Sequence, residues 1–225
     1  RRHDLHGEII LVDDGSTDGT FAAATREAEQ LDRVQVLRHR RNLGKTEAMI
    51  TGADAAASDY IILFDADLQH TPEEFPRFLR KLAEGWDIVA GRKMGAYEKR
   101  AVSSIYNRLS QSLFEVPARD LNSMKGFRRQ ILDEIPLRHD WHRFFIVLAY
   151  ARGYSVSEID IELHPRQAGV SKYTGRGRIL VGVGDLLVVW FYLKFSQKPM
   201  QFFGGTGLAL IVLGLFVGLV AIVLR

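Results

Sequence analysis

The chain has 225 residues, 47% of them hydrophobic, and balances 30 Lys+Arg against 27 Asp+Glu for a formal charge of +3. That hydrophobic share supports a packed core and excludes intrinsic disorder, while so small a charge bias argues for no nucleic-acid partner. Cysteine is absent and the seven His show no HExxH spacing, which excludes disulfides, thiolate nucleophiles and the common zinc motifs.

In chain order, apolar runs alternate with amphipathic stretches. Glu8–Val12 reads as a strand, Thr20–Leu31 as an Ala-rich helix, Val34–Leu37 as a strand and Thr46–Ala57 as a helix. Tyr60–Phe64 then predicts a strand, Pro72–Glu84 a helix and Trp86–Ala90 a strand. This alternation predicts an α/β fold with a mostly parallel sheet covered by helices, whose ligands gather at the carboxyl ends of the strands. Two acidic clusters fall at such ends, Asp13-Asp14 and Asp65-Ala66-Asp67.

Residues Arg100–Ala151 read as mainly helical with a turn near Pro117–Asn122, and Tyr154–Leu163 alternates like a strand. The following HPRQAGVSKYTGRGR is rich in Gly and cations and predicts a binding loop. Ile179–Phe195 is apolar, with Asp185 and Lys194 embedded, and reads as a helix at a membrane interface. Gly204–Leu224 carries no charge and is long enough to cross a bilayer. The expected organisation is a catalytic domain over 1–175, an interfacial helical region over 176–200 and a transmembrane helix over 201–225. RRHDLHGEII leads into a strand without a signal peptide, and both ends read as cut from a longer chain.

Two carboxylates at i and i+2 point to opposite faces of an extended strand, but just beyond its end the chain can turn and bring them together. Their repulsion is relieved by a hard dication such as Mg2+ or Mn2+, which takes oxygen ligands and is commonly shared with substrate phosphates. A bare DxD also fits a pair of solvated loop aspartates. LVDDGSTDGT supplies a second acidic strand end, with Gly15 for a tight turn and Ser16, Thr17 and Asp18 as candidate caps. RNLGKTEA places Lys45 at a helix start.

LVDDGSTDGT, NLGK, DADLQH and GWDIVAGRK, in that order, resemble the family 2 glycosyltransferases, which have a GT-A fold for nucleotide-diphospho-sugars. RDLNSMKGFRR, HDWHRFF, HPRQAGVSKY and FSQKPMQFFGGTG are similar to the polyprenyl-phosphate branch, which includes dolichol-phosphate mannose synthases and undecaprenyl-phosphate sugar transferases. One departure is that the Pro-x-Tyr-Asn-Glu-like first strand usual in the family has no counterpart here.

The resemblance implies that Asp65 and Asp67 hold Mg2+ or Mn2+ with support from Gln69, and that Asp13, Asp14, Lys45 and Asp65 line the donor site. It also implies that Arg92, Arg100, Arg166, Ser171 and Lys172 meet the acceptor phosphate, with Arg92 and Arg100 joining the two aspartates in catalysis. His142 and Arg143 are weaker candidates, since a helix cap explains Asp140 and a core-edge position explains His142. The implied reaction moves a hexose, with inversion, from a nucleotide-diphospho-sugar to dolichyl or undecaprenyl phosphate. The positive-inside rule puts the catalytic domain on the cytoplasmic face, of a bacterial plasma membrane rather than the endoplasmic reticulum. Two other readings are a family 2 transferase with a sugar acceptor and an inactive membrane-anchored partner of the same fold.

Overall fold

The computed structural model describes residues 7–94, 110–164 and 177–224, so Arg100, Arg166, Ser171 and Lys172 lie outside the described residues. The chain divides into two compact units, Arg1–Lys172 and Tyr173–Arg225.

In the first unit, β1 (Ile9–Asp13) leads to α1 (Thr20–Ala28), β2 (Val34–Arg38), α2 (Lys45–Ala55) and β3 (Tyr60–Leu63). A 3-10 turn at Pro72–Glu74 opens α3 (Phe75–Ala83), which is followed by β4 (Ile88–Met94). After the segment outside the described residues come β5 (Lys125–Arg128), α4 (Gln130–Glu134), a 3-10 turn at Trp141–Phe144, α5 (Phe145–Tyr150) and β6 (Val156–Glu162). β1 and β2 form a parallel pair, while the other strands form a sheet of order β3-β5-β4-β6.

The parallel expectation holds for β1 with β2 and for β4 with β6, but β5 runs antiparallel to both β3 and β4. This strand falls within the stretch read from sequence as mainly helical. Its four residues, KGFR, are too short to show a period and begin on a charge. The expected start of β4 also shifts: Trp86 and Asp87 precede the strand, and Asp87 is held by the Ser155 amide and hydroxyl and by Arg128.

The apolar pattern explains how the layers pack. In α3, Phe75, Phe78, Leu79 and Leu82 recur at helical spacing; Phe78 and Leu82 are buried against Val89, Met124 and Ile161. Each such side chain contributes about 1.5–3 kcal/mol through burial. α5 instead buries five consecutive residues, Phe145–Ala149, and Phe145 meets Phe127 of β5 at 4.7 Å between ring centroids.

The second unit contains α6 (Gly177–Phe195) and α7 (Pro199–Val223). α7 is long and apolar enough to cross a membrane. Its leucines, isoleucines and valines from Leu208 to Leu224 are exposed. The Thr206 hydroxyl returns to the Phe202 carbonyl at 2.7 Å, so its own donor is satisfied within the helix. Phe191 and Phe195 of α6 stack with Phe202 of α7 at 5.0 and 5.2 Å, and Lys194 lies over the Trp190 ring.

Candidate active site

The topology brings the chemistry-bearing residues to one end of the strands. Asp13 ends β1, Asp65 lies two residues beyond the end of β3, and Lys45 is the first residue of α2. Because β5 is antiparallel to its neighbours, Lys125 at its start also reaches this end, paired in register with Leu63 of β3 and Ala90 of β4. Arg92 lies two residues beyond Ala90 on β4.

Two glycines shape the entrance. Gly15 has φ +75 and packs so closely on the Arg41–Asn42 backbone that a side chain would collide with it. Gly44 has φ +94 and turns the chain into α2, which presents Lys45. The Lys45 Nζ straddles the Asp65 carboxylate at 2.5 Å from Oδ1 and 2.6 Å from Oδ2. Desolvation alone would raise the Asp65 carboxyl, but the charge and hydrogen bond of Lys45, helped by Lys125, hold it below its ordinary value.

Beyond Asp65 the chain turns sharply. Leu68 adopts φ 60, the Gln69 amide donates to Asp67 Oδ1 at 3.2 Å, and the Gln69 carbonyl accepts the His164 amide at 2.9 Å. His164 therefore sits against the carboxylate loop, just ahead of the basic segment that begins at Arg166.

Lys125 is 2% exposed, and its ammonium donates to the Leu121 carbonyl at 3.2 Å. Burial, with the like charges of Lys45 and Lys93, pulls it down to about 7 against the opposing pull of Asp65 and Asp120. His142 is also buried: its amide donates to Thr46 Oγ1 at 3.1 Å, and its Nδ1 faces the same hydroxyl at 3.1 Å. Burial, then Lys45, Lys125 and Arg143, push its ring down to about 3, so it is neutral at physiological pH.

Asp13 and Asp14 have different occupations. Asp14 accepts the Leu43 and Gly44 amides at 2.8 and 2.9 Å and His39 Nδ1 at 2.8 Å, tying the β1 turn to the start of α2. Buried Asp13 accepts the Ser16 amide at 3.2 Å and lies 3.4 Å from Arg38 Nε. Asp18, expected as a cap, accepts both the amide and the hydroxyl of Thr20. Asp140 is no side-chain cap: it stands before the Trp141–Phe144 turn with φ 62 and makes no capping hydrogen bond.

Arg92, expected at the acceptor phosphate, forks onto Asp160 of β6, with Nε to Oδ1 at 2.6 Å and Nη2 to Oδ2 at 2.7 Å. This pair holds Arg92 above its ordinary value. Sequence reasoning assigned no role to Thr46 or Lys125. Lys125 stands inside the quoted RDLNSMKGFRR, but only the folded chain shows its burial.

Asp65, Asp67 and Gln69 offer oxygen donors alone, the set that suits Mg2+ or Mn2+. Among the described residues no cluster of three His, Cys, Asp or Glu surrounds one point. A two-carboxylate holder that leaves positions for phosphate oxygens and water is a common arrangement for these ions, and the residues present fit it.

Several known proteins are similar to this chain. The dodecaprenyl-phosphate galacturonate synthase of Rhizobium johnstonii is 33% identical over 221 residues, covering 93% of this chain and 64% of its own length. The undecaprenyl-phosphate 4-deoxy-4-formamido-L-arabinose transferase of Klebsiella pneumoniae is 32% identical over 224 residues, covering 97% and 66% respectively. The chain thus spans just under two thirds of the length of these curated relatives. Among solved structures, glucosyl-3-phosphoglycerate synthase from Mycobacterium tuberculosis with Mg2+ and uridine-diphosphate aligns at TM-score 0.62 and 17% identity, over 79% of this chain and 67% of that one. Its complex with phosphoglyceric acid aligns at TM-score 0.63 and 16% identity, over 83% and 68%. These structural likenesses are of fold alone and bear out the GT-A-like expectation. The family model for glycosyl transferase family 2 matches residues 2–150, from the first strand through α5, and the chain belongs to that family.

Proposed function

We propose that this protein is a membrane-bound inverting glycosyltransferase that moves a sugar from a nucleotide-diphospho-sugar to a polyprenyl phosphate. The observation that carries the reading is the Asp65-x-Asp67 pair beyond β3, with Lys45 on Asp65 and buried Lys125 nearby. Relatives named for transfer to dodecaprenyl and undecaprenyl phosphate support the acceptor class.

Asp65 and Asp67 would hold Mg2+ or Mn2+, supported by Gln69; when bound, such an ion offsets the charge that grows on the departing nucleoside diphosphate. Lys45, on a long side chain at a helix N-terminus, can exchange the Asp65 carboxylate for a donor phosphate. Asp13 lies at the donor end of β1, while Asp14 shapes the donor loop through its hydrogen bonds. The acceptor phosphate is already anionic, so its oxygen attacks without a strong general base. Arg92, Arg100, Arg166, Ser171 and Lys172 would offset the repulsion between the two anions and hold them in line. One displacement at the anomeric carbon inverts it. α7 would anchor the enzyme, and the cations between Arg166 and Arg178 favour the cytoplasmic face of a bacterial plasma membrane.

The test uses the full chain in nanodiscs with a panel of radiolabelled nucleotide sugars, undecaprenyl or dolichyl phosphate, and Mg2+, Mn2+ or chelator. Label should enter the lipid from one donor, only with the ion, and the linkage should be inverted. Donor binding without lipid labelling, or a retained anomer, would overturn the acceptor or the displacement respectively.

A further inference from the structure

We infer that His39 is a positioning residue of the donor site: together with Thr51 it braces the Asp14 carboxylate against the body of α2, and so sets where Lys45 meets the donor phosphates. The inference rests on the function proposed above.

Lys45 is the first residue of α2, so its place depends on whatever holds the start of that helix. The cap position is Gly44, which has no side chain to bond the first amides. Asp14 supplies the acceptor from across the fold: Oδ1 accepts the Leu43 amide at 2.8 Å and Oδ2 the Gly44 amide at 2.9 Å. Desolvation alone would raise the Asp14 carboxyl, but these bonds and the His39 ring hold it below its ordinary value, so it is ionised at neutral pH.

His39 keeps that carboxylate from turning. Its Nδ1 lies 2.8 Å from Asp14 Oδ1, and because an ionised carboxylate only accepts, Nδ1 is the donor. Its Nε2 lies 2.9 Å from the Thr51 hydroxyl, in the body of α2. The ring is itself held, since its side chain is 9% exposed and its backbone amide donates to the Asp13 carbonyl at 2.9 Å.

Thr51 follows Gly44 by about two turns, roughly 10 Å along the helix axis. One attachment to the end of β1 would let α2 pivot, whereas two attachments fix its direction. The direction matters because Lys45 Nζ must stay in reach of Asp65, from which it is now 2.5 and 2.6 Å away. A misplacement of about 1 Å far from the chemistry can cost on the order of a hundredfold in rate. His39 and Thr51 therefore act at the donor site without having to touch the donor.

The test measures binding of uridine, guanosine and cytidine diphosphates, each with Mn2+, to the full chain in nanodiscs by calorimetry. Wild type is compared with His39→Leu, with His39→Asn, whose amide can still donate to Asp14, with Thr51→Val, with Lys45→Met, and with Lys45→Met combined with His39→Leu. For the diphosphate that wild type binds, His39→Leu should weaken affinity by about tenfold and Thr51→Val by a few-fold, while His39→Asn should recover most of the loss. Once Lys45 is Met, adding His39→Leu should cost nothing more, because His39 acts through Lys45. Additive losses in the double variant, or unchanged affinity in folded His39→Leu, would overturn the inference while the donor site stands. If His39→Leu does not fold, Thr51→Val decides: unchanged affinity, or loss of its fold as well, makes the brace purely structural and the inference wrong. Wild type that binds none of the diphosphates, or Lys45→Met that binds as wild type does, would instead overturn the proposed donor site, and the inference with it.

Discussion

Thr46 and His142, 96 positions apart, are joined by two hydrogen bonds through a single hydroxyl. The oxygen accepts the His142 amide and faces Nδ1, to which its own hydrogen can go when the neutral ring carries its proton on Nε2. The couple clamps the helix that starts with Lys45 to the turn that carries His142. Both residues are buried, so neither end of the clamp has water as a substitute.

Thr46→Val keeps the shape of the side chain and removes both bonds, leaving the His142 amide and Nδ1 buried without a partner. The expected loss is about 1–3 kcal/mol. Thermal unfolding of the full chain in detergent should show a lowered midpoint; an unchanged midpoint would mean the clamp contributes nothing.

His142 also predicts a pH dependence. Its folded value, about 3, lies below the ordinary 6.5, so the unfolded chain binds the extra proton between these limits. Stability from this residue is fully present above about pH 6.5 and falls as the medium is acidified toward 3. His142→Gln cannot take up that proton, so its unfolding midpoint should fall less steeply between pH 7 and 5. Parallel slopes for the two proteins would refute the assignment.

The parts legible in the sequence are those written in local patterns. The apolar spacing of α3 and the runs of β1 and β3 appear directly in the residues, and the Asp65-x-Asp67 pair stands out because it follows such a run. Contacts made across distance were not legible. Asp13-Asp14 looks like a ligand pair, but the amides that occupy Asp14 come from Leu43 and Gly44, 29 and 30 residues away. Lysine ordinarily marks a surface, and Lys125 is buried only because β3 and β4 flank its strand. β5 itself alternates a charge, a glycine and a phenylalanine over too few residues to display a period.

Asp67→Ala should abolish transfer to lipid while leaving the fold intact, because Asp67 lies in the loop beyond the end of β3 rather than within a strand or helix. Circular dichroism and the unfolding midpoint check the fold, and labelled product checks the chemistry. Near-normal turnover by well-folded protein would remove Asp67 from the site.

Arg92 has two competing uses, and Asp160 separates them. As a cross-strand pair with Asp160, it is worth about 0.2–1 kcal/mol, the range for exposed ion pairs, because water screens both partners. Arg92→Ala should therefore cost at most about 1 kcal/mol of stability. If Arg92 also meets the acceptor phosphate, that small loss will accompany a much larger fall in transfer. Asp160→Asn weakens the competing fork, freeing the guanidinium, and should lower KM for the lipid phosphate without a matching change for the donor. Arg92→Lys should not restore activity, because a single ammonium lacks the two parallel N–H groups that grip an oxyanion. A purely structural fork makes the opposite forecast: Arg92→Ala and Asp160→Asn would lose similar small amounts of stability, with both KM values unchanged. Steady-state kinetics on the two variants, with lipid and donor varied in turn, decide between them.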